Sequence, residues 1–106
     1  MAIKLIVAYP LPTSIDAFEQ VYHQEHVPLV MRKLDGNTRL VSTKILASPQ
    51  GAAPYYRIAE IHFPSMTALE ACAASAGGKE TLGHAIKISS GGPPAIMIAE
   101  KECVSL

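Results

Sequence analysis

Two side chains capable of proton chemistry stand one helical turn apart in Phe18-Glu19-Gln20-Val21-Tyr22-His23-Gln24-Glu25-His26. With Phe18 at ~0° and ~100° per residue, Leu29 falls at ~20°, Tyr22 at ~40°, Ile15 at ~60° and His26 at ~80°. Val30 lies beyond at ~120° and His23 on the flank at ~140°. His26 therefore sits inside the arc that should face the core. An imidazole turned inward is costly unless it is hydrogen-bonded. Tyr22, four residues earlier, is the nearest partner on the same helix. A neutral imidazole with an ordinary pKa of about 6.5 can take or give a proton at working pH. A phenol beside it can orient the ring or donate to a developing oxyanion. The same pattern also fits a core histidine that only satisfies its hydrogen bonds.

Other candidates carry weaker chemistry. His23-x-x-His26, with Glu19 or Glu25 nearby, has chelate-like spacing, but the two rings diverge by ~60° and no third strong ligand follows, so no metal site is expected. A single histidine does not mark a haem ligand, and no cofactor is expected. Glu60 and His62 fall on one face of a strand with Tyr56 and Ile58. If that face meets the helices, they complete a proton relay with His26 and join Phe18 and Leu29 around a substrate. If it meets a partner subunit, they are interface polar groups. His84 follows Gly83 in a helix expected at the surface, and Arg57 reads as one half of an ordinary ion pair. Gly77-Gly78-Lys79-Glu80 lacks the earlier glycine and the hydroxyl residue of a phosphate loop. Cys72, set among alanines, reads as a small core residue without a positive neighbour to activate it. Cys72 and Cys103 build neither a disulfide framework nor a zinc site.

The elements that must position these residues follow from periodicity and punctuation. Ile3 to Tyr9 is nearly continuously apolar, which predicts a strand buried on both faces. Thr13 or Ser14 caps a helix with Asp16 in its first turn. That helix is expected to run to about His26, break at Pro28 and resume over Leu29 to Leu34, with a kink at Val27. Arg39 to Ala47 predicts a second strand, Ser48 to Pro54 a flexible connection, and Tyr55 to Phe63 the strongest strand of the chain. A helix over Met66 to Ser75 is closed by Gly77-Gly78, a short one spans Lys79 to Ile88, and a last strand runs from Ala95 to about Glu102. The order is βαββα(α)β. An α+β, ferredoxin-like arrangement satisfies it, with a four-stranded antiparallel sheet and helices on one face.

At 106 residues the chain is expected to form one domain over 1–106. Apolar residues make up 49% and charged residues 17%, a load that a monomer this small hides poorly, so a two-fold homodimer is expected. Nine basic residues balance nine acidic ones, with no basic patch to attract nucleic acid. No apolar run approaches the roughly 18 residues of a membrane span, and the amino end is broken too early by Pro10 for a secretory signal. A soluble cytoplasmic protein is the expectation.

Taken together, Tyr9-Pro10, Phe18-x-x-x-Tyr22-x-x-x-His26-Val27-Pro28-Leu29, Pro54-Tyr55-Tyr56, Ala59-Glu60, Ser65-Met66-Thr67-Ala68-Leu69 and Gly91-Gly92 resemble the EthD-like family of dimeric α+β barrels. The resemblance spans nearly the whole chain. It implies a homodimer whose sheets pack into a barrel, and a pocket in each subunit between sheet and helices, into which Tyr22 and His26 look. The family is named after ethyl tert-butyl ether breakdown, where its role resembles an accessory to an oxidising system. Related barrels isomerise lactones, cyclise or decarboxylate aromatic polyketides, oxidise anthrones without a cofactor, or degrade haem, so the fold does not choose a reaction. Two functions follow as expectations. One is a cofactor-independent acid/base enzyme for a small aromatic, lactone or polyketide-like substrate, with His26 and Tyr22 as its catalytic pair. The other is a non-catalytic accessory that holds a hydrophobic ligand or contacts a redox partner protein.

Overall fold

The computed structural model describes residues 2–105. Strand β1 (Ile3–Tyr9) leads into helix α1 (Ile15–Val21), one π-helical turn (Tyr22–His26) and helix α2 (Val27–Lys33). Strands β2 (Arg39–Lys44) and β3 (Arg57–Phe63) follow, then helices α3 (Met66–Ala74) and α4 (Ala76–Ile88) and strand β4 (Ala95–Glu100). The four strands form one antiparallel sheet in the order β2-β3-β1-β4, the ferredoxin-like topology expected from the element order.

Alternation along the strands divides the sheet into two faces. Ile3, Leu5, Val7 and Tyr9 of β1 pair with Phe63, Ile61, Ala59 and Arg57 of β3, and this set faces the helices. Its buried members form two clusters. One gathers Val7, Tyr9, Phe18, Tyr22 and Tyr56 under α1 and the end of α4; the other gathers Ile3, Ile61, Phe63, Leu69 and Cys72 under α3. Phe18 packs edge-on to Tyr9 at 5.2 Å between centroids and stacks on Tyr22 at 5.5 Å. The opposite face carries Lys4, Ile6 and Ala8 opposite His62, Glu60 and Ile58, with Met97 of β4 and Val41 of β2 beside them. No helix covers it. Ile96, Met97 and Ile98 of the edge strand β4 are all exposed.

The largest departure from expectation is at Pro28. The helix does not break there, and Val27 keeps right-handed helical angles of φ −59° and ψ −46°. Pro28 brings no amide hydrogen, so the regular ladder of α-helical bonds cannot continue past it. The chain instead takes one wider turn, in which the Val27 amide donates to the Tyr22 carbonyl five residues back. One extra residue in a turn sets everything after it back by about 100° on the helical wheel. His26 and Val30 are thereby turned toward the sheet, while Leu29 stays buried, at 8% exposure, beside the groove that His84 borders.

The second departure is at Gly77-Gly78. These glycines do not close α3; they lie in the first turn of α4. Ser75, in extended backbone, ends α3 and caps α4, its hydroxyl accepting from the Gly78 amide at 3.0 Å. The glycines are required by contact. A Cβ on Gly78 would lie 1.9 Å from the Cys72 carbonyl oxygen, and one on Gly77 2.3 Å from that of Lys33. Gly83, in the same helix, would meet nothing within 4 Å. Gly83→Ala is therefore expected to stabilise the fold by about 0.5–1 kcal/mol through helix propensity. Gly78→Ala is expected to destabilise it by roughly 2–3 kcal/mol, the usual cost of forcing apart packed backbone. Urea unfolding of the two variants reads both signs.

Candidate functional site

The site begins where three elements meet over the sheet. Tyr9 is the last residue of β1 and is fully buried; His26 ends the π turn and is 6% exposed; His84 lies two turns into α4, half-buried. The Tyr9 hydroxyl is 3.3 Å from His26 Nε2, and His26 Nδ1 is 2.8 Å from His84 Nδ1. The imidazole planes lie 11° apart with centroids at 5.1 Å. Two Nδ1 atoms at hydrogen-bond distance hold one proton between them, so one ring donates and the other accepts. Burial, and then the neighbouring His84 charge, push the His26 pKa down from 6.5 to about 4. His26 is therefore neutral at pH 7, with both nitrogens engaged.

Tyr22 is not its hydrogen-bonding partner. The Tyr22 ring lies 5.7 Å from the His26 ring, but its hydroxyl runs past to Ser42 Oγ on β2 at 2.7 Å. Ser42 Oγ also accepts from Arg57 Nη1 at 3.0 Å, and the guanidinium lies over the Tyr22 ring at 4.7 Å from its centroid. Arg57, expected in an ordinary edge or interface ion pair, is instead buried in a two-pronged pair with Glu19, its Nη2 2.9 and 2.8 Å from the two carboxylate oxygens. The Tyr56 hydroxyl donates to the same carboxylate at 2.5 Å, and Lys44 and His23 approach it at 3.5 and 3.2 Å. Burial opposes ionisation of Glu19, but the Tyr56 and Arg57 hydrogen bonds and the Arg57 and Lys44 charges outweigh it and bring its pKa to about 2. Burial pushes the Tyr9 and Tyr22 hydroxyls up, so both are protonated donors at neutral pH.

Two apolar spaces meet at His26. A cleft of about 340 Å³ lies between α1–α2 and the sheet; its wall includes Tyr9, Tyr22, His26, Val30, Leu40 and Ser42. A smaller cavity of about 30 Å³ lies on the other side of the imidazole, among Leu5, Phe63, Leu69 and Leu82. The cleft is mostly apolar, its polar groups being the Tyr9–His26 pair, the Tyr22–Ser42 pair and the Lys4-held Glu60, a pattern suited to a small ring compound with one or two oxygens.

The remaining expected site residues fall elsewhere. Phe18 is a core side chain under Tyr22 and does not line the cleft. Leu29 is buried but does not line the cleft; it lies beneath the groove that His84 borders. His62 and Glu60 belong to the sheet face away from the helices, so neither completes a relay with His26. Glu60 is among the residues of the cleft wall, but its carboxylate is held by Lys4 Nζ at 2.5 Å. His84, expected at the surface without a role, is the residue that sequence reasoning missed. Its signal is contact with His26 across 58 positions, which no local spacing carries. His23 and His26 point to different partners, and among the described residues no three metal-ligating side chains converge.

Residues 11–85 match the EthD domain family. The chain is similar in structure to an ethyl tert-butyl ether (EthD) family protein from Bacillus halodurans, with 29% identity, a TM-score of 0.85, and 96% of this chain and 100% of that chain covered. A dimeric ferredoxin-like protein of unknown function from Jannaschia is 15% identical, with a TM-score of 0.71 over 95% of this chain and 100% of that one. SnoaB, a cofactor-independent oxygenase from Streptomyces nogalater, is 13% identical, with a TM-score of 0.64 over 97% of this chain and 95% of that one. No curated protein matches the sequence.

The depressed His26 pKa has a stability consequence. Between pH 6.5 and about 4 the unfolded chain holds a proton at this position that the folded chain lacks, so stability rises with pH across that window. Unfolding free energy is expected to fall by on the order of 2 kcal/mol as pH drops from neutrality to the lower bound. Glu19 adds a second loss below pH 4.5 as its carboxylate is forced to protonate toward about 2. Urea titrations across pH, repeated with His26→Phe, should show the first loss disappear and the second remain.

Proposed function

As this chain belongs to the EthD domain family, we propose that it is a cofactor-independent acid/base enzyme acting on a small aromatic, lactone or polyketide-like compound held in the cleft over the sheet. The observation that carries this reading is the neutral, hydrogen-bonded His26 set in the wall of a mostly apolar cleft. A proton acceptor with no competing charge on it, in a water-poor space, suits abstraction of a proton next to a carbonyl. The carbonyl oxygen would rest at the Tyr22–Ser42 end. There the Tyr22 hydroxyl, backed through Ser42 by the Arg57 cation, would donate to the enolate as charge develops. No step requires a metal or an organic cofactor.

The working unit is proposed to be a homodimer, with the uncovered sheet face meeting a second copy. That face mixes Ile6, Ile58 and Met97 with the Lys4–Glu60 pair, an apolar field with a polar island that fixes register. Among the described residues no helix is long and apolar enough to cross a membrane, and the cytoplasm is the proposed location. One observation favours a second reading, a ligand-holding accessory of an oxidative degradation system: both His26 nitrogens already have partners within the protein.

A panel of small lactones, enones and aromatic keto acids, followed by proton–deuterium exchange and product formation, separates the two. Turnover is expected to fall about 10²–10⁴-fold in His26→Ala and about 10²-fold in Tyr22→Phe. The basic form of His26 exists above its pKa of about 4, so kcat/KM should be flat near neutrality and fall on the acid side. Binding of a panel member without exchange or turnover would replace the enzyme by the accessory.

A further inference from the structure

The His26–His84 contact leads somewhere the cleft does not. His26 presents Nε2 to Tyr9, whose side chain is in the cleft wall, and Nδ1 to His84. His84 in turn borders a groove on the outside of the molecule, with Gln24, Glu25, Pro28 and Arg32. The two imidazole planes are nearly parallel and joined nitrogen to nitrogen, the arrangement in which a proton crosses with little movement of either ring. A compound filling the cleft displaces water from its side of His26, which leaves the His84 side as the route to solvent.

We infer that Tyr9, His26 and His84 form a proton relay through which the enclosed imidazole exchanges with bulk water at the outer groove, and that His84 is its outlet. Its existence does not depend on the enzyme reading; its use in turnover does. Each transfer balances. A substrate C–H proton passes to the Tyr9 oxygen as the Tyr9 proton passes to His26 Nε2. The His26 Nδ1 proton moves to His84 Nδ1, and the His84 Nε2 proton leaves to water. The substrate keeps the electron pair as an enolate, and both rings end as the opposite neutral tautomers. Reverse passage returns one proton to a different carbon of the enolate and restores both tautomers. No charged imidazolium has to persist in the buried site, consistent with the burial that disfavours one. The charged and titratable groups around the outlet are Glu25 and Arg32 across the groove, with Glu80 and Lys87 a turn away on α4.

His84 is a positioning and exchange residue, so its test reads protons and not only rate. In the unmodified protein, nitrogen-15 NMR of the histidine rings at pH 7 is expected to show one of the two facing Nδ1 atoms protonated and the other bare. Finding both bare would overturn the relay. His84→Gln keeps a hydrogen-bonding side chain but cannot pass a proton on, and His84→Ala removes the partner. In both, exchange of the His26 ring proton with water is expected to slow by about tenfold or more. Exchange as fast as in the unmodified protein in either variant would also overturn it. An intact relay with no turnover on any compound would sink the enzyme reading and leave the relay standing. Turnover lost in His26→Ala but untouched in both His84 variants would do the reverse.

Discussion

The arrangement rests on a missing hydrogen. Pro28 has no amide proton to offer, yet the segment from Ile15 to Lys33 has to remain continuous helix to cover the sheet. The single π turn reconciles the two demands, and its cost in helix geometry is repaid by placement. Before the turn, Phe18 and Tyr22 stack against the end of β1; after it, His26 and Val30 line the cleft and Leu29 is buried on the side toward His84. π turns recur at functional positions because they re-aim side chains without breaking the rod that carries them.

Two polar systems flank the cleft, and they are electrically unlike. On the β2 side the Glu19 carboxylate collects two cations, Arg57 and Lys44, together with Tyr56 and His23. Its influence reaches Tyr22 through the Ser42 hydroxyl and through the Arg57 guanidinium over the Tyr22 ring. On the α4 side Tyr9 and His84 flank a His26 that burial keeps neutral at pH 7. In both systems buried polar groups find partners, Arg57 Nε excepted, but one set is tied by ionic pairs and the other by neutral hydrogen bonds to His26. The separation matters for chemistry: a guanidinium hydrogen-bonded directly to His26 would leave it little affinity for a proton.

Much of this was legible in the residue order. The strand at Ile3–Tyr9 and the small-residue helix around Cys72 appear where periodicity placed them, the cap expected at Thr13 or Ser14 is Ser14, and the strand expected over Tyr55 to Phe63 begins at Arg57. Inward placement of Tyr22 and His26 was legible for the same reason. What failed were statements that assumed regular geometry or needed tertiary neighbours. The wheel put Leu29 in the buried arc, where it is, but by assuming one pitch throughout it did not show that Val30, and not Leu29, lines the cleft. Pro28 and Gly77-Gly78 were read as breakers, although proline is tolerated at the first turn of a helix and glycine serves close backbone contact. The pairing of Tyr9 with His26, of Tyr22 with Ser42, and of His26 with His84 joins residues 17 to 58 positions apart. Strand alternation grouped Glu60 with His62 correctly, but which face met the helices depends on how the elements pack.

The two glycines at the start of α4 have a consequence for ancestry. They touch no ligand and carry no chemistry, yet α4 can close onto Lys33 and the end of α3 only because both lack a side chain. His84 reaches His26 from that seated helix. A lineage that keeps the imidazole pair therefore inherits it as a package, Gly77-Gly78 with His84 six residues on, and drift at the glycines would strand the histidine before any change to the histidine itself. In sorting relatives that can seat α4 this way from those that share only the scaffold, the small pair upstream is as diagnostic as the histidine it places.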